Sequence, residues 1–292
     1  MKTRIITGLA YTLLAVGVLL LLQSPLLQCF IILFSVIAAY ELCHSVQMKN
    51  KAMLAVSMAT AALVPPILEY WPLLRERLRI PAYPLLLGYF ILLLVLMLAR
   101  YEQTRFSDVL FALFASLAVP GAMGTLVLIR NSARAPAEPN LAVWLVLFTL
   151  CSAWMTDVFA LFAGVKFGKH KLAPKISPKK TVEGAAGGLI GAALANAGLA
   201  LLFNQAILQH HKINLLAVCL LSLVIGVVSM VGDLAMSVLK RNYGVKDFGK
   251  FFPGHGGVMD RFDSITLVSP FIYGILLLEQ SLGLQILYEV IV

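Results

Sequence analysis

Nine apolar stretches, each about long enough to cross a bilayer, follow one another along this chain. They run over roughly 5–22, 26–43, 52–69, 83–99, 107–129, 141–165, 184–203, 213–232 and 264–288. A helix that spans the hydrocarbon layer needs about 20 mostly apolar residues. Only helices and closed barrels satisfy their own backbone polar groups there, so these runs predict an all-α, polytopic helical membrane protein. A soluble fold is excluded by charge: 13% of the 292 residues are charged, against about 25% in an ordinary soluble domain. Disorder is excluded for the same reason, because disordered chains are polar.

The gaps between runs hold the breakers and charges: Ser24-Pro25, Lys49-Asn50-Lys51, Pro72 to Pro84, Arg100 to Arg105 and Arg130 to Asn140. Pro65-Pro66, near the end of the third run, predicts a kink or a stop there. The N-terminal Met1-Lys2-Thr3-Arg4 before its apolar run resembles a signal peptide. The run is long for one and lacks a clean cleavage site, so a retained helix is expected. Cys29, Cys43, Cys151 and Cys219 fall inside apolar runs with no metal-ligand spacing, and are read as buried small hydrophobes.

The net charge of +9 is read as membrane orientation rather than nucleic-acid binding. With the N-terminus cytoplasmic, 17 of the 23 Lys and Arg residues face inward. Only Arg75, Arg77, Arg79, Arg130, Arg134 and Lys212 face outward. The expected organisation is a region of about five N-terminal spans, 1–140, followed by a catalytic membrane region, 141–292. Two cytoplasmic loops of the latter, 166–183 and 233–263, hold 16 of the chain's 37 charged residues. Small residues at Gly184, Gly187, Gly188 and Gly191 suit the seventh span to close helix packing.

Any chemistry the protein does is expected in those loops. Asp260 and Asp263 are three residues apart, and at a helix entrance would share one face, close enough to hold a hard cation such as Mg²⁺. Pro253-Gly254-His255-Gly256-Gly257 is a glycine-rich turn whose backbone N–H groups can converge on a phosphate. Lys240, Arg241, Lys246, Lys250 and Arg261 surround it with positive charge. The alternative is a solvated basic loop that merely follows the inside rule. In the other loop Ser177, Lys179, Lys180 and Thr181, just before a helix, suit either a triphosphate or anionic lipid heads. Asp157 sits in an apolar stretch, where an unpaired charge costs on the order of 3 kcal/mol on insertion scales. It is either functional or the mark of an early helix end. Asp233 could be no more than a helix-end residue. Glu41, near the end of the second run, is a buried carboxylate without an evident role.

Taken together, Ser237-x-Leu239-Lys240-Arg241, Lys246-Asp247, Pro253-x-His255-Gly256-Gly257 and Asp260-Arg261-x-Asp263 resemble the signature of phosphatidate cytidylyltransferases, or CDP-diacylglycerol synthases. The Ser177-Pro178-x-Lys180-Thr181 loop is similar to theirs as well. At Asp157, the chain keeps Ala160, Gly164, Gly168 and Lys169, but has Leu161 where the family usually has Tyr. The resemblance implies an enzyme that joins CTP to phosphatidic acid, giving CDP-diacylglycerol and pyrophosphate for phospholipid synthesis. It implies Mg²⁺ held by Asp233, Asp260 and Asp263, with a second cation left open. Lys240, Arg241, Arg261 and His255 would complete the catalytic set. Ser177, Lys179, Lys180, Thr181, Lys246, Asp247, Gly256, Gly257 and Asp157 would bind nucleotide or substrate. His255 is read as a hydrogen-bond donor or turn-former, because a phosphate monoester nucleophile is already anionic. The expected place is a bacterial inner membrane, with the active site facing the cytoplasm. The partners are the bilayer and the two substrates, without nucleic acid, and a homodimer is left open. Alternatives are a CTP enzyme acting on an ether-lipid phosphate, a polyprenol kinase and, more remotely, a transporter.

Overall fold

The computed structural model describes residues 26–79, 81–132, 139–254 and 256–290. Among them, eight helices are long and apolar enough to cross a membrane. They are α1 (Leu26–Ser45), α2 (Lys51–Leu78), α3 (Ala82–Ala99), α4 (Phe106–Ser132), α5 (Pro139–Phe167), α6 (Val182–Ala206), α7 (Leu215–Asn242) and α9 (Ile265–Leu282). The short helix α8 is Met259–Phe262. The chain is an integral, all-α membrane protein, and each of these eight spans overlaps one of the expected apolar runs. The first expected run, 5–22, lies outside the described residues.

Three ends differ from expectation. α2 neither stops nor breaks at Pro65-Pro66 but continues through Pro72 to Leu78. Prolines are tolerated in spans whose neighbours and local adjustments satisfy the freed backbone. Here Gly124 of α4 packs at Pro65 and Leu68, so closely that a Cβ on it would meet both at 3.3 Å. α7 continues past Gly232 to Asn242, so Asp233, Ser237, Lys240 and Arg241 lie on a helix, not in a loop. α9 ends at Leu282, where Gly283 takes φ +64° and its N–H bonds to Glu279 O.

The chain divides into two compact units. The first comprises the described residues up to Val127 together with Tyr243–Phe262. Its core joins Met53, Leu93, Val109 and Ala112 from α2, α3 and α4. Asn50 caps α2 by accepting from Met53 N (3.2 Å), and its amide donates to Leu96 O (2.9 Å) and Thr104 Oγ1 (3.1 Å). One π-turn, Phe114–Ala118, interrupts α4. There Ser116 Oγ donates to Ala112 O and is 2.6 Å from Tyr89 OH on α3.

The second unit runs from Leu128 to Asn242 and from Asp263 onward. Here α6 lies along α5 through its glycines. A Cβ on Gly187 would run into Ala163, and one on Gly191 into the Phe159 ring. A Cβ on Gly188 would be 2.7 Å from Thr156 O. That is the close packing the small-residue run predicts. Asn196 of α6 donates to Ser152 Oγ on α5 and to Ser222 Oγ on α7, both at 2.9 Å, with all three side chains fully buried. Polar bonds of this kind join helices where hydrophobic association gives no drive. Between α5 and α6 lies an antiparallel hairpin, β1 (Lys171–Ala173) with β2 (Ser177–Thr181). A second small pairing joins β3 (His211–Ile213) to β4 (Tyr288–Val290). The four cysteines are free; Cys43 is buried as expected, but Cys151 and Cys219 are only half-buried and Cys29 is exposed.

Candidate active site

In the second unit, carboxylates from three segments gather with two lysines. Asp233 is on α7, Asp263 just precedes α9, and Asp157 is on α5. Gly232 lets α7 come close: a Cβ there would be 3.2 Å from Asp263 O and 3.3 Å from Ser264 Cα. The Lys180 ammonium forms an ion pair with Asp233 Oδ2, and Ser237 Oγ donates to Asp233 Oδ1 (3.4 Å). Lys240 Nζ stands 3.9 Å from Asp263 Oδ2. Ser264 ties the third carboxylate in, donating from Oγ to Asp157 Oδ2 (3.3 Å). Asp263 Oδ1 accepts from Ser264 N (2.8 Å).

Asp263 is only 8% exposed. Burial pushes its carboxyl well above the usual range, and the charges of Asp233 and Asp157 add to that. Lys240 and the Ser264 N–H act the other way. A buried carboxylate with two others near it gains from a cation close by, as Asp263 does from Lys240. The donors are hard carboxylate oxygens, the type that Mg²⁺ takes. Among the described residues, no three His, Cys, Asp or Glu side chains are grouped closely enough to hold one ion.

Lys180 is delivered by the β1–β2 hairpin. Thr181 then caps α6, its Oγ1 accepting from Gly184 N (3.1 Å). Ser177 opens β2 and Lys179 is exposed on it. Glu183 steadies the hairpin's base, accepting from Lys169 N (3.0 Å) and meeting His170 Nδ1 at 2.6 Å. Arg241 Nε reaches Ile176 O at 3.4 Å. Leu161, where the family usually has Tyr, is 64% exposed.

The first unit contains the rest of the signature as one folded loop. Phe252 N donates to Gly256 O (2.8 Å), and Gly254 and Gly256 take φ of +78° and +87°, a region that side chains rarely enter. The loop borders an open cavity of about 450 Å³ lined by Lys246, Asp247, Lys250, Arg261 and the backbone at Gly249 and Gly256. Asp260 Oδ2 accepts from both Phe248 N and Gly257 N, each at 2.9 Å. His255 lies outside the described residues.

Sequence reasoning named Glu41 without a role. It is 4% exposed, and its carboxylate accepts from Val258 N (3.1 Å) and Met259 N (2.9 Å) in the same loop. No spacing rule exposes such a contact, because its partners are backbone N–H groups 217 and 218 residues away.

The chain is a membrane-embedded helical protein with lysine–carboxylate pairs in one unit and a basic glycine-rich loop in the other, an arrangement suited to an enzyme of anionic substrates. The chain belongs to the cytidylyltransferase family, whose sequence profile matches residues 2–278. It is similar to a phosphatidate cytidylyltransferase of Rickettsia bellii, 31% identical over 190 residues, covering 65% of this chain and 79% of that protein. The Bacillus subtilis phosphatidate cytidylyltransferase is 46% identical over 125 residues, 43% of this chain and 44% of that protein. That of Haemophilus influenzae is 42% identical over 134 residues, 46% of each chain.

Proposed function

We propose that this enzyme transfers the cytidylyl group of CTP to phosphatidic acid, releasing pyrophosphate and leaving CDP-diacylglycerol in the membrane. The observation that carries the reading is the Lys180–Asp233 ion pair beside the Lys240–Asp263 pair. It stands in a chain whose family and relatives are cytidylyltransferases. A phosphate oxygen of phosphatidate forms a bond to the α-phosphorus of CTP as the bond to the bridging α–β oxygen breaks. Both reactants are anions, so the protein's task is to hold them in line and offset their charge. Lys180, Lys240 and Arg241 are the cations the second unit offers to an anionic substrate, and Lys246, Lys250 and Arg261 are those of the first. Ser177, Lys179 and Thr181 of the second unit, and Asp247 and the Gly256–Gly257 backbone of the first, are the further groups that would bind nucleotide or substrate.

Mg²⁺, when bound, neutralises developing phosphoryl charge. Asp233 and Asp263 would hold it, with Asp157 close to them and Asp260 as the further carboxylate the signature implies. The positive-inside bias supports a cytoplasmic N-terminus, and with it an active site on the cytoplasmic face of a bacterial inner membrane, where CTP is present.

The test uses purified protein in detergent with Mg²⁺, phosphatidic acid and CTP labelled at the α- or the γ-phosphorus. Label entering lipid from the α position, with matching pyrophosphate release, is the expected result. Label from the γ position would mean a lipid kinase, and no labelling of phosphatidic acid would overturn the reading.

A further inference from the structure

The glycine-rich loop is held from behind by a residue far from it in the chain. Glu41, on α1, places its carboxylate against the loop's inner side. Oε1 accepts from Val258 N and Oε2 from Met259 N. The fit is tight: a Cβ on Gly249 or on Gly257 would collide with this carboxylate. The next residue, Asp260, is bonded to Gly257 N and Phe248 N, so two carboxylates organise the loop from either side of the Val258–Met259 step. Phe262, at the end of α8, packs on Phe34 of α1 with ring centroids 5.5 Å apart. Gly249, in contact with Glu41 on one side, also lines the basic cavity.

We propose that Glu41 is a positioning residue for the nucleotide: it fixes the backbone of the loop that forms the cavity of Lys246, Lys250 and Arg261, and thereby sets the fit of the CTP triphosphate. The inference rests on the CTP reading above. Glu41 acts through the loop and touches no reacting atom. A carboxylate suits the task because it only accepts, and two donors face it. Glutamine offers one acceptor and one donor group, so it leaves a buried N–H without a partner.

Steady-state kinetics of Glu41→Gln, with CTP and phosphatidic acid varied in turn, test this. The KM for CTP should rise about tenfold or more, since one buried N–H is orphaned, while the KM for phosphatidic acid stays within about twofold. Glu41→Asp, which keeps both acceptor oxygens on a shorter stem, should fall between wild type and Glu41→Gln. An unchanged KM for CTP in a folded Glu41→Gln protein overturns the proposal. So does an equal rise in both constants, which would mean general loosening. Should Glu41→Gln not fold, hydrogen exchange on the wild-type protein decides: Val258 and Met259 amides exchanging as slowly as helix interiors support the anchor, and exchange at exposed-turn rates overturns it. Wild-type protein that fails to label phosphatidic acid removes the CTP reading instead, and the exchange result still stands for or against the anchor.

Discussion

The Lys180 ammonium and the Asp233 carboxylate are 53 residues apart in sequence and form an ion pair in the structure. Each reaches the other from a different element, one from the β-hairpin and one from α7. The pair puts a cationic side chain directly on a carboxylate that the proposed reaction uses. Lys180→Ala should therefore lower kcat/KM for CTP by about 100-fold, in the range of losing one preorganised charge. Asp233→Asn should cost at least as much. The double variant should lose less than the two single losses combined, because both substitutions break one unit. Strictly additive losses in a double-mutant cycle would mean that the pair does not act together.

Asp263 is costly to keep buried, and this separates its role in activity from its role in stability. Burial and two neighbouring carboxylates work against its charged form, with Lys240 partly offsetting them. Asp263→Asn should reduce turnover by about 1,000-fold or more if it holds the metal. The melting temperature in detergent should change little, because relief of a disfavoured charge is set against the loss of a partner for buried Lys240. A large fall in melting temperature would show that the carboxylate is there for the fold.

A divalent cation is expected to be indispensable. Protein stripped with EDTA should release no pyrophosphate from CTP and phosphatidic acid, and added Mg²⁺ should restore release. Full activity after chelation would remove the cation from the scheme and leave the lysines to carry the charge alone.

The glycines of α6 give a test of packing without touching chemistry. Gly191→Ala would drive a methyl into the Phe159 ring, and overpacking of this kind costs about 1–3 kcal/mol. Gly198 has nothing within 4 Å of the position a Cβ would take, so Gly198→Ala should leave the melting temperature unchanged or slightly raised. Equal effects at the two positions would contradict the α5–α6 contact.

The spans were legible because their signal is length and apolarity, both local properties. The end of α7 was not. Asp233, Lys240 and Arg241 look like the start of a polar loop, yet they continue the helix because other segments meet their polar groups: Lys180 reaches Asp233, Asp263 stands near Lys240 and the Ile176 carbonyl meets Arg241. Pro65 and Pro66 misled in the same direction: α2 runs through both, with Gly124 of α4 packed against Pro65. In the candidate site, residue types and spacing singled out Asp157, Asp263, Lys180 and Lys240, and the family resemblance added Asp233, but nothing local says which lysine meets which carboxylate. Glu41 was visible only as an oddity, because its partners are main-chain groups that any sequence possesses.

Asn196 has a consequence for how the protein is made. Its two bond acceptors arrive at different times: Ser152 precedes it in the chain and Ser222 follows it. A nascent chain halted after α6 would hold an amide with one hand free in hydrocarbon. α5, α6 and α7 thus complete one another only as a trio, and a ribosome-stalled fragment lacking α7 should be a preferred target for the membrane's quality-control proteases.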